Sequence, residues 1–235
     1  MSIAAEAADL FGITLDARQV AQFDQYTQAL VEWNERVNLT AILEPDAVRV
    51  RHYLDSLSIV KGTPIKAGMR LIDVGTGAGF PGLPLAIAFP EVHVTLMEAT
   101  GKKVAFLDHV IQTLSLQNAR TLNARAEEAG HISHHRARYD AVLARAVARL
   151  PALLEYLLPL AKVGGRCIAM KGTTAEEETA DSKNALQILG GRLVKIEAVQ
   201  LPDVPEAHYL VVVEKTEATP APYPRKPGMP TKKPL

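Results

Sequence analysis

Asp73-Val-Gly-Thr-Gly-Ala-Gly-Phe-Pro-Gly82 is the stretch that decides the fold of this chain. The apolar run Leu71–Val74 leads into it and predicts a buried strand, and a helix is predicted to begin near Pro81. Glycines are needed where the backbone takes a positive φ or approaches a ligand closely. The free amides at a helix start favour a carboxylate or a phosphate. The stretch therefore predicts a strand, a ligand-binding turn and a helix.

The spacing of the glycines is compatible with two ligands. Gly77–Gly82 matches the dinucleotide pattern G-x-G-x-x-G. Gly75, two residues before Gly77 and directly after Asp-Val, gives the form typical of S-adenosylmethionine-dependent methyltransferases. Glu98 ends the next predicted strand and suits the ribose hydroxyls of either ligand. The turn begins late in the chain and no tyrosine has a lysine four residues later, which favours S-adenosylmethionine over NAD.

From Met69 onward, short apolar runs alternate with helical stretches. This alternation predicts a parallel sheet covered by helices on both faces. Leu193–Val199 and Tyr209–Val213 are two strands with no helix between them, so they are expected to form an antiparallel pair at one edge. By analogy, the expected fold is the α/β sheet of class I (Rossmann-like) methyltransferases.

The chain divides into three predicted regions. Residues 1–66 read as a helical extension, with Asp16 as a helix cap and Pro45 in the first turn of a later helix. Residues 67–215 are the predicted S-adenosylmethionine-binding domain. Residues 216–235 hold six prolines and several basic residues, which predicts an extended or disordered tail.

Composition excludes several classes of protein. Lys+Arg and Asp+Glu both number 26, so nucleic-acid binding would need a local basic patch. The single cysteine, Cys167, excludes a disulfide framework and a cysteine-rich metal site, and we expect no metal. The chain shows neither a long apolar run nor a secretory signal, so we expect a cytoplasmic protein without a membrane span.

The methyl acceptor is constrained by residues at the strand ends. Methylation of pyrimidine C5 needs a cysteine nucleophile, whereas Cys167 lies in the middle of a predicted strand. Arg145 and Lys171 end adjacent strands at the edge where ligands bind, which makes them candidate catalytic residues. A ring nitrogen such as guanine N7 carries no proton, so its methylation needs alignment and electrostatics but no general base.

Several motifs together resemble a known family over almost the whole chain. They are Trp33-Asn34, Asn38–Ala41, Arg51–Leu57, Asp73–Pro84, Lys102-Lys103, Phe106-Leu107, Arg125–Glu128, Arg145-Ala146, Lys171-Gly172 and Tyr223–Gly228. No other family known to us joins Arg-His-x-Leu-Asp-Ser to Gly-Ala-Gly-Phe-Pro-Gly. The chain thus resembles the RsmG (GidB) family, bacterial methyltransferases of guanine N7 in 16S ribosomal RNA.

This resemblance implies S-adenosylmethionine as cofactor and the 16S rRNA of the ribosomal small subunit as partner, and we expect a monomer. The cofactor residues implied or placed on the glycine turn are Gly75, Thr76, Gly77, Gly79, Phe80, Glu98, Ala99, Thr100, Ala126, Glu127 and Arg145. The candidates for RNA contacts are Arg51, His52, Lys102, Lys103, Arg225 and Lys226, with Arg145 and Lys171 also able to meet phosphate or guanine.

Two features of the chain qualify this interpretation. His208 stands where the family often has arginine, so an RNA contact there would be weaker and pH-dependent. Asp55 follows Arg51 by four residues, which predicts an ordinary intrahelical ion pair. A methyltransferase of small molecules or proteins, and a nucleotide-binding module without catalysis, are the alternatives.

Overall fold

Over residues 2–235, which the computed structural model describes, seven strands form one sheet in the order β3-β2-β1-β4-β5-β7-β6. The strands are β1 Arg70–Val74, β2 His93–Glu98, β3 Ala119–Asn123, β4 Tyr139–Arg145, β5 Ala161–Lys171, β6 Gly191–Val199 and β7 His208–Lys215. Strands β1 to β5 are parallel, and β7 runs antiparallel to both β5 and β6. The predicted parallel sheet with an antiparallel pair at its edge is confirmed.

Helices cover both faces of the sheet. They are α1 Ile3–Phe11, α2 Ala17–Asn34, α3 Pro45–Val48, α4 Asp55–Leu57, α5 Gly82–Ala88, α6 Gly101–Thr113, α7 Ala126–Ala129, α8 Leu150–Leu157, α9 Ala175–Asp181, α10 Lys183–Leu189 and α11 Met229–Lys232. Asp16 caps α2 as predicted, because its Oδ1 accepts from Gln19 N while the Gln19 side chain accepts from Asp16 N, both at 2.8 Å.

Alternating residues of the central strands enter two separate cores. Leu71 faces a core that includes Phe23 and Leu54 of the amino-terminal helices, whereas Ile72 faces a core that includes Leu153 of α8. The amino-terminal helices therefore pack directly on one face of the sheet and share its core. None of the helices formed by residues 2–235 is both long and apolar enough to cross a membrane.

The helix that starts at Pro45 is interrupted in its middle. Between α3 and α4 the chain forms a π-helical segment, Arg49–Leu54, and after α4 it ends in a 3₁₀ turn, Ser58–Lys61. Such π segments are rare and occur frequently at functional sites. This one carries Arg51 and His52, two residues of the motif that supports the family resemblance.

The carboxyl-terminal segment has no helix or strand between Lys215 and Met229, as its prolines predict, but it is packed on the protein and is not a disordered tail. Arg225 forms an ion pair with the completely buried Glu155 of α8, with Nη2 and Oε2 2.6 Å apart. Further on, the short helix α11 begins after Gly228. Proline limits regular structure but leaves carbonyls and side chains free to bond, which composition alone does not reveal.

Candidate functional site

The turn after β1 has the shape that its glycines predict. Gly75, Gly77 and Gly79 all have positive φ, with values of 67°, 59° and 99°. A Cβ on Gly75 would lie 2.9 Å from Cγ2 of Val147, in the loop after β4. Glycine is therefore required at residue 75 both by the backbone angle and by the close approach of the neighbouring loop.

Asp73 closes this turn, a role that sequence reasoning missed. Its Oδ2 accepts from Thr76 Oγ1 and from Gly82 N, the latter at 2.8 Å. Its Oδ1 is buried without a hydrogen-bond partner in the described structure, and burial raises the pKa of Asp73 to about 6. An acidic residue at the strand end before Gly-x-Gly is the sequence signal that would have identified it.

A cavity of about 220 Å³ opens beside the turn, at the carboxyl edge of β1, β2 and β4. It brings together five of the predicted cofactor residues, namely Gly75, Glu98, Ala99, Ala126 and Glu127. The remaining lining residues include Met97, Arg125, Val147, Ala148, Tyr156 and Thr231. This space is the candidate cofactor pocket.

Glu98 links the glycine turn to the loop after β2. Its Oε2 accepts from Gly77 N at 3.1 Å and its Oε1 accepts from Thr100 N at 2.8 Å. Each carboxylate oxygen keeps a further lone pair, so Glu98 can also accept from a ligand hydroxyl. Thr76 and Thr100 contribute to the geometry of the loops and do not line the pocket.

Arg145 lies at the centre of a second cluster, beside the first pocket. Its Nη1 donates to Asp55 Oδ2 at 3.0 Å and to the Arg51 carbonyl at 3.1 Å. Its guanidinium carbon lies 4.9 Å from the centroid of the Phe80 ring. Phe80 in turn stacks on His52 with the ring centroids 4.3 Å apart. Arg145 is therefore held by charge, by a backbone carbonyl and by an aromatic ring.

The predicted ion pair between Arg51 and Asp55 is wrong. Asp55 is buried, and its Oδ1 lies 2.9 Å from Nδ1 of His208 while its Oδ2 pairs with Arg145. The hydrogen bond to Asp55 raises the pKa of His208. The π-helical segment and the fold bring three residues together that are far apart in the chain.

His52 is buried in this cluster and is not a surface contact. Its Nε2 lies 2.9 Å from Thr40 Oγ1. Burial, assisted by the nearby charge of Arg145, lowers the pKa of His52 to about 4. The ring is therefore neutral at pH 7 and acts on the site through Phe80 and Arg145, so the structure does not favour its predicted contact with RNA phosphate.

Lys171 anchors the loop that follows β4. Its Nζ donates to the Ala148 carbonyl at 2.6 Å and pairs with Glu178 Oε2 at 2.7 Å. The same carboxylate accepts from Leu150 N at 2.6 Å, which ties the start of α8 to α9. Lys171 is thus half of a buried pair, a placement suited to positioning more than to direct attack on a substrate.

A second cavity, of about 330 Å³, lies next to this loop and is lined by Asp55, Arg145, Lys171 and His208 among others. Ala146 lines it too and has a left-handed φ of 55°, a strained angle for a residue with a Cβ. Val147 and Ala148, directly after it, line the first cavity. A four-residue segment therefore separates two pockets at the carboxyl edge of the sheet.

The other predicted RNA-binding residues line neither of these two cavities. Lys102, in the first turn of α6, and Lys226 in the tail are exposed, and Lys103 is half-buried. Arg225 is held by Glu155. Cys167 is buried in the middle of β5, and burial raises the pKa of its thiol to about 12. The thiol therefore stays protonated, as is typical of a structural cysteine. No group of three potential metal-ligating side chains occurs among residues 2–235.

The fold and the paired pockets define the class I S-adenosylmethionine-dependent methyltransferase architecture. A methyltransferase from Aquifex aeolicus, described as SAM-dependent, matches with a TM-score of 0.55 and 19% identity over 74% of this chain and 94% of that one. At this identity the likeness concerns the fold alone.

The chain belongs to the family described as rRNA small subunit methyltransferase G, whose profile matches residues 19–206. A relative from Pelotomaculum thermopropionicum, named ribosomal RNA small subunit methyltransferase G, is 48% identical over 98% of this chain and 96% of its own length. A relative of the same name from Alkaliphilus metalliredigens is 47% identical over 95% of this chain and 94% of its own length.

Proposed function

We propose that this chain transfers a methyl group from S-adenosylmethionine to N7 of a guanine in 16S rRNA. The single observation that carries the proposal is the pair of pockets on either side of the Arg145–Ala148 segment. One is lined by five of the eleven predicted cofactor residues, and the other is lined by an arginine that its neighbours hold in place. The names of the relatives support rRNA of the small subunit as the acceptor.

The first pocket fits S-adenosylmethionine in the chemistry of its walls. A Cβ on Gly75 would press on Val147, another residue of the pocket wall, and Glu98 offers carboxylate oxygens to the ribose hydroxyls. Ala126 and Glu127 line the same pocket, which supports the proposal that their backbone groups read the adenine edge. When bound, the cofactor supplies a sulfonium-activated methyl group.

The second pocket suits a base that needs no deprotonation. Guanine N7 carries a lone pair and no proton, so the residues here need only align the base and complement its charge. Arg145 offers guanidinium donors to guanine O6, which leaves the N7 lone pair free to attack the methyl group, and Asp55 and Phe80 hold this arginine in one orientation. Lys171 acts by anchoring the segment between the pockets.

Basic side chains that are exposed or half-buried provide the contacts with RNA phosphates. We assign this role to Arg51, Lys102, Lys103 and Lys226, which leaves out His52 and Arg225 because both are engaged inside the protein. Phosphate contacts of this kind position the RNA without reading its sequence. The enzyme would act in the cytoplasm, as a monomer, on the ribosomal small subunit.

The proposal is tested by incubating the protein with labelled S-adenosylmethionine and, in parallel, ribosomal small subunits, naked rRNA and small molecules. Label in 16S rRNA is expected, in the subunit or in the free RNA. Transfer only to small molecules, or no transfer to RNA under any condition, would overturn the proposal and support one of the alternative classes.

A further inference from the structure

The carboxyl-terminal segment, residues 223–235, is fastened to the body of the protein by buried polar contacts. Besides the ion pair with Glu155, Arg225 donates from its backbone N to Glu155 Oε1 at 2.6 Å. Gly228 N donates to Glu127 Oε1 at 3.0 Å. Glu155 is completely buried, and a buried carboxylate without its partner is strongly destabilising. The segment is therefore an integral part of the fold.

Two of these contacts lie at the candidate cofactor pocket. Glu127 lines that pocket and is a predicted adenine-reading residue, yet its side chain is used to hold Gly228. Thr231, in α11, also lines the pocket, and its Oγ1 lies 3.0 Å from the hydroxyl of Tyr156, another lining residue. The carboxyl-terminal segment thus reaches the pocket through Thr231 and is tied to its wall through Glu127.

We propose that residues 227–235 form one wall of the cofactor pocket and contribute directly to binding of S-adenosylmethionine. Within this wall, the hydroxyls of Thr231 and Tyr156 are the polar groups that would meet the adenosine part of the ligand. This inference rests on the proposed function, since it takes the first pocket as the cofactor site.

Two observations favour this role over that of an RNA-binding arm. Arg225 is neutralised by Glu155 and so offers little charge to a phosphate. The backbone from Tyr223 to Gly228 is also bound at several points, since Arg136 donates to the Tyr223 carbonyl at 2.7 Å and His131 lies 2.7 Å from the Pro224 carbonyl. A segment that is held at this many points is preorganised for a small ligand in the pocket below it.

The test is the affinity for S-adenosylhomocysteine, measured by titration calorimetry without any RNA. A chain ending at Lys226 removes the wall but keeps the pair between Arg225 and Glu155, which protects folding. Thr231→Val removes one hydroxyl at nearly constant volume. Thr113→Val is the matched control, because it makes the same change at an exposed threonine of α6 that lines neither pocket. Thermal melts verify that each variant is folded.

Truncation is expected to raise the Kd at least tenfold, and Thr231→Val to raise it about two- to tenfold, the usual worth of one hydrogen bond. Thr113→Val should leave the Kd unchanged. Unaltered or tighter binding of S-adenosylhomocysteine by the folded truncated chain would overturn the inference while the proposed function stands. Failure of the full chain to bind would overturn the proposed function and this inference with it.

Discussion

Asp55→Asn is the change that probes the second pocket most sharply. The substitution keeps the shape of the side chain but removes the negative charge that faces Arg145 at 3.0 Å and His208 at 2.9 Å. Asp55 exposes only 4% of its side chain and Arg145 exposes 19%, so solvent screens the remaining charge of Arg145 weakly. Breaking a buried pair costs about 3–5 kcal/mol, and the lower end applies because Asn still accepts one hydrogen bond.

The consequence for activity follows from the position of Arg145. A displacement of about 1 Å in a group that aligns the acceptor costs on the order of 100-fold in rate. We therefore expect methyl transfer to fall by about that factor through kcat, with the Kd for S-adenosylhomocysteine nearly unchanged. The pKa of His208 should fall as well, because its hydrogen bond to Asp55 is the main cause of the raised value.

Methyl transfer to ribosomal RNA and an NMR titration of His208 measure these two effects. Asp46→Asn is the matched control, since Asp46 pairs with Arg49 on the surface of the same helical region and is not near either pocket. A variant with Asp55→Asn that keeps both normal transfer and the raised pKa of His208 would refute the role assigned to this carboxylate.

Three further changes have defined outcomes. Gly75→Ala places a Cβ 2.9 Å from Val147 at a φ of +67°, so it should destabilise the fold by about 1–2 kcal/mol in urea denaturation and weaken binding of S-adenosylhomocysteine. Gly164→Ala, with similar φ and open space around it, should destabilise without affecting binding. Lys171→Met leaves the buried Glu178 carboxylate without its ion-pair partner, which should lower the free energy of unfolding by about 3 kcal/mol and slow methyl transfer. Lys162→Met, at the more exposed pair with Asp140, is the control. An effect of Lys171→Met no larger than that of the control would contradict the anchoring role of Lys171. Because the folded pKa of His208 is raised, its contribution to stability is complete below the ordinary value of about 6.5 and is lost as the pH rises through the folded value. The difference in urea midpoint between the unaltered chain and His208→Asn should therefore shrink with rising pH. A difference that grows with pH would contradict a raised pKa of His208 in the folded protein.

Local patterns in the sequence predicted the sheet and the first pocket. The alternation of apolar runs and helices identified the parallel strands, and the missing helix between β6 and β7 identified their antiparallel pairing. Gly75, Glu98 and Ala126 lie at or just after the ends of strands, and the carboxyl ends of parallel strands meet at one edge of the sheet. Their convergence could thus be predicted without knowledge of any side-chain contact.

The second pocket and the tail depend on contacts that local patterns do not encode. Asp55 meets Arg145 and His208 across 90 and 153 residues of chain, so a pairing based on i,i+4 spacing chose the nearest partner and was wrong. The same holds for Arg225, whose partner Glu155 lies 70 residues away. A proline-rich composition disfavours long helices, but it does not indicate which residue of the protein binds Arg225.

Nucleoside mass spectrometry of the RNA product tests the central claim most directly. Ribosomal small subunits that lack the modification are incubated with the protein and S-adenosylmethionine, and the 16S rRNA is digested to nucleosides. We expect new 7-methylguanosine, and its loss by orders of magnitude with Arg145→Ala, since that arginine lines the second pocket. A methyl group on any other atom, or undiminished 7-methylguanosine with the Arg145→Ala variant, would contradict it.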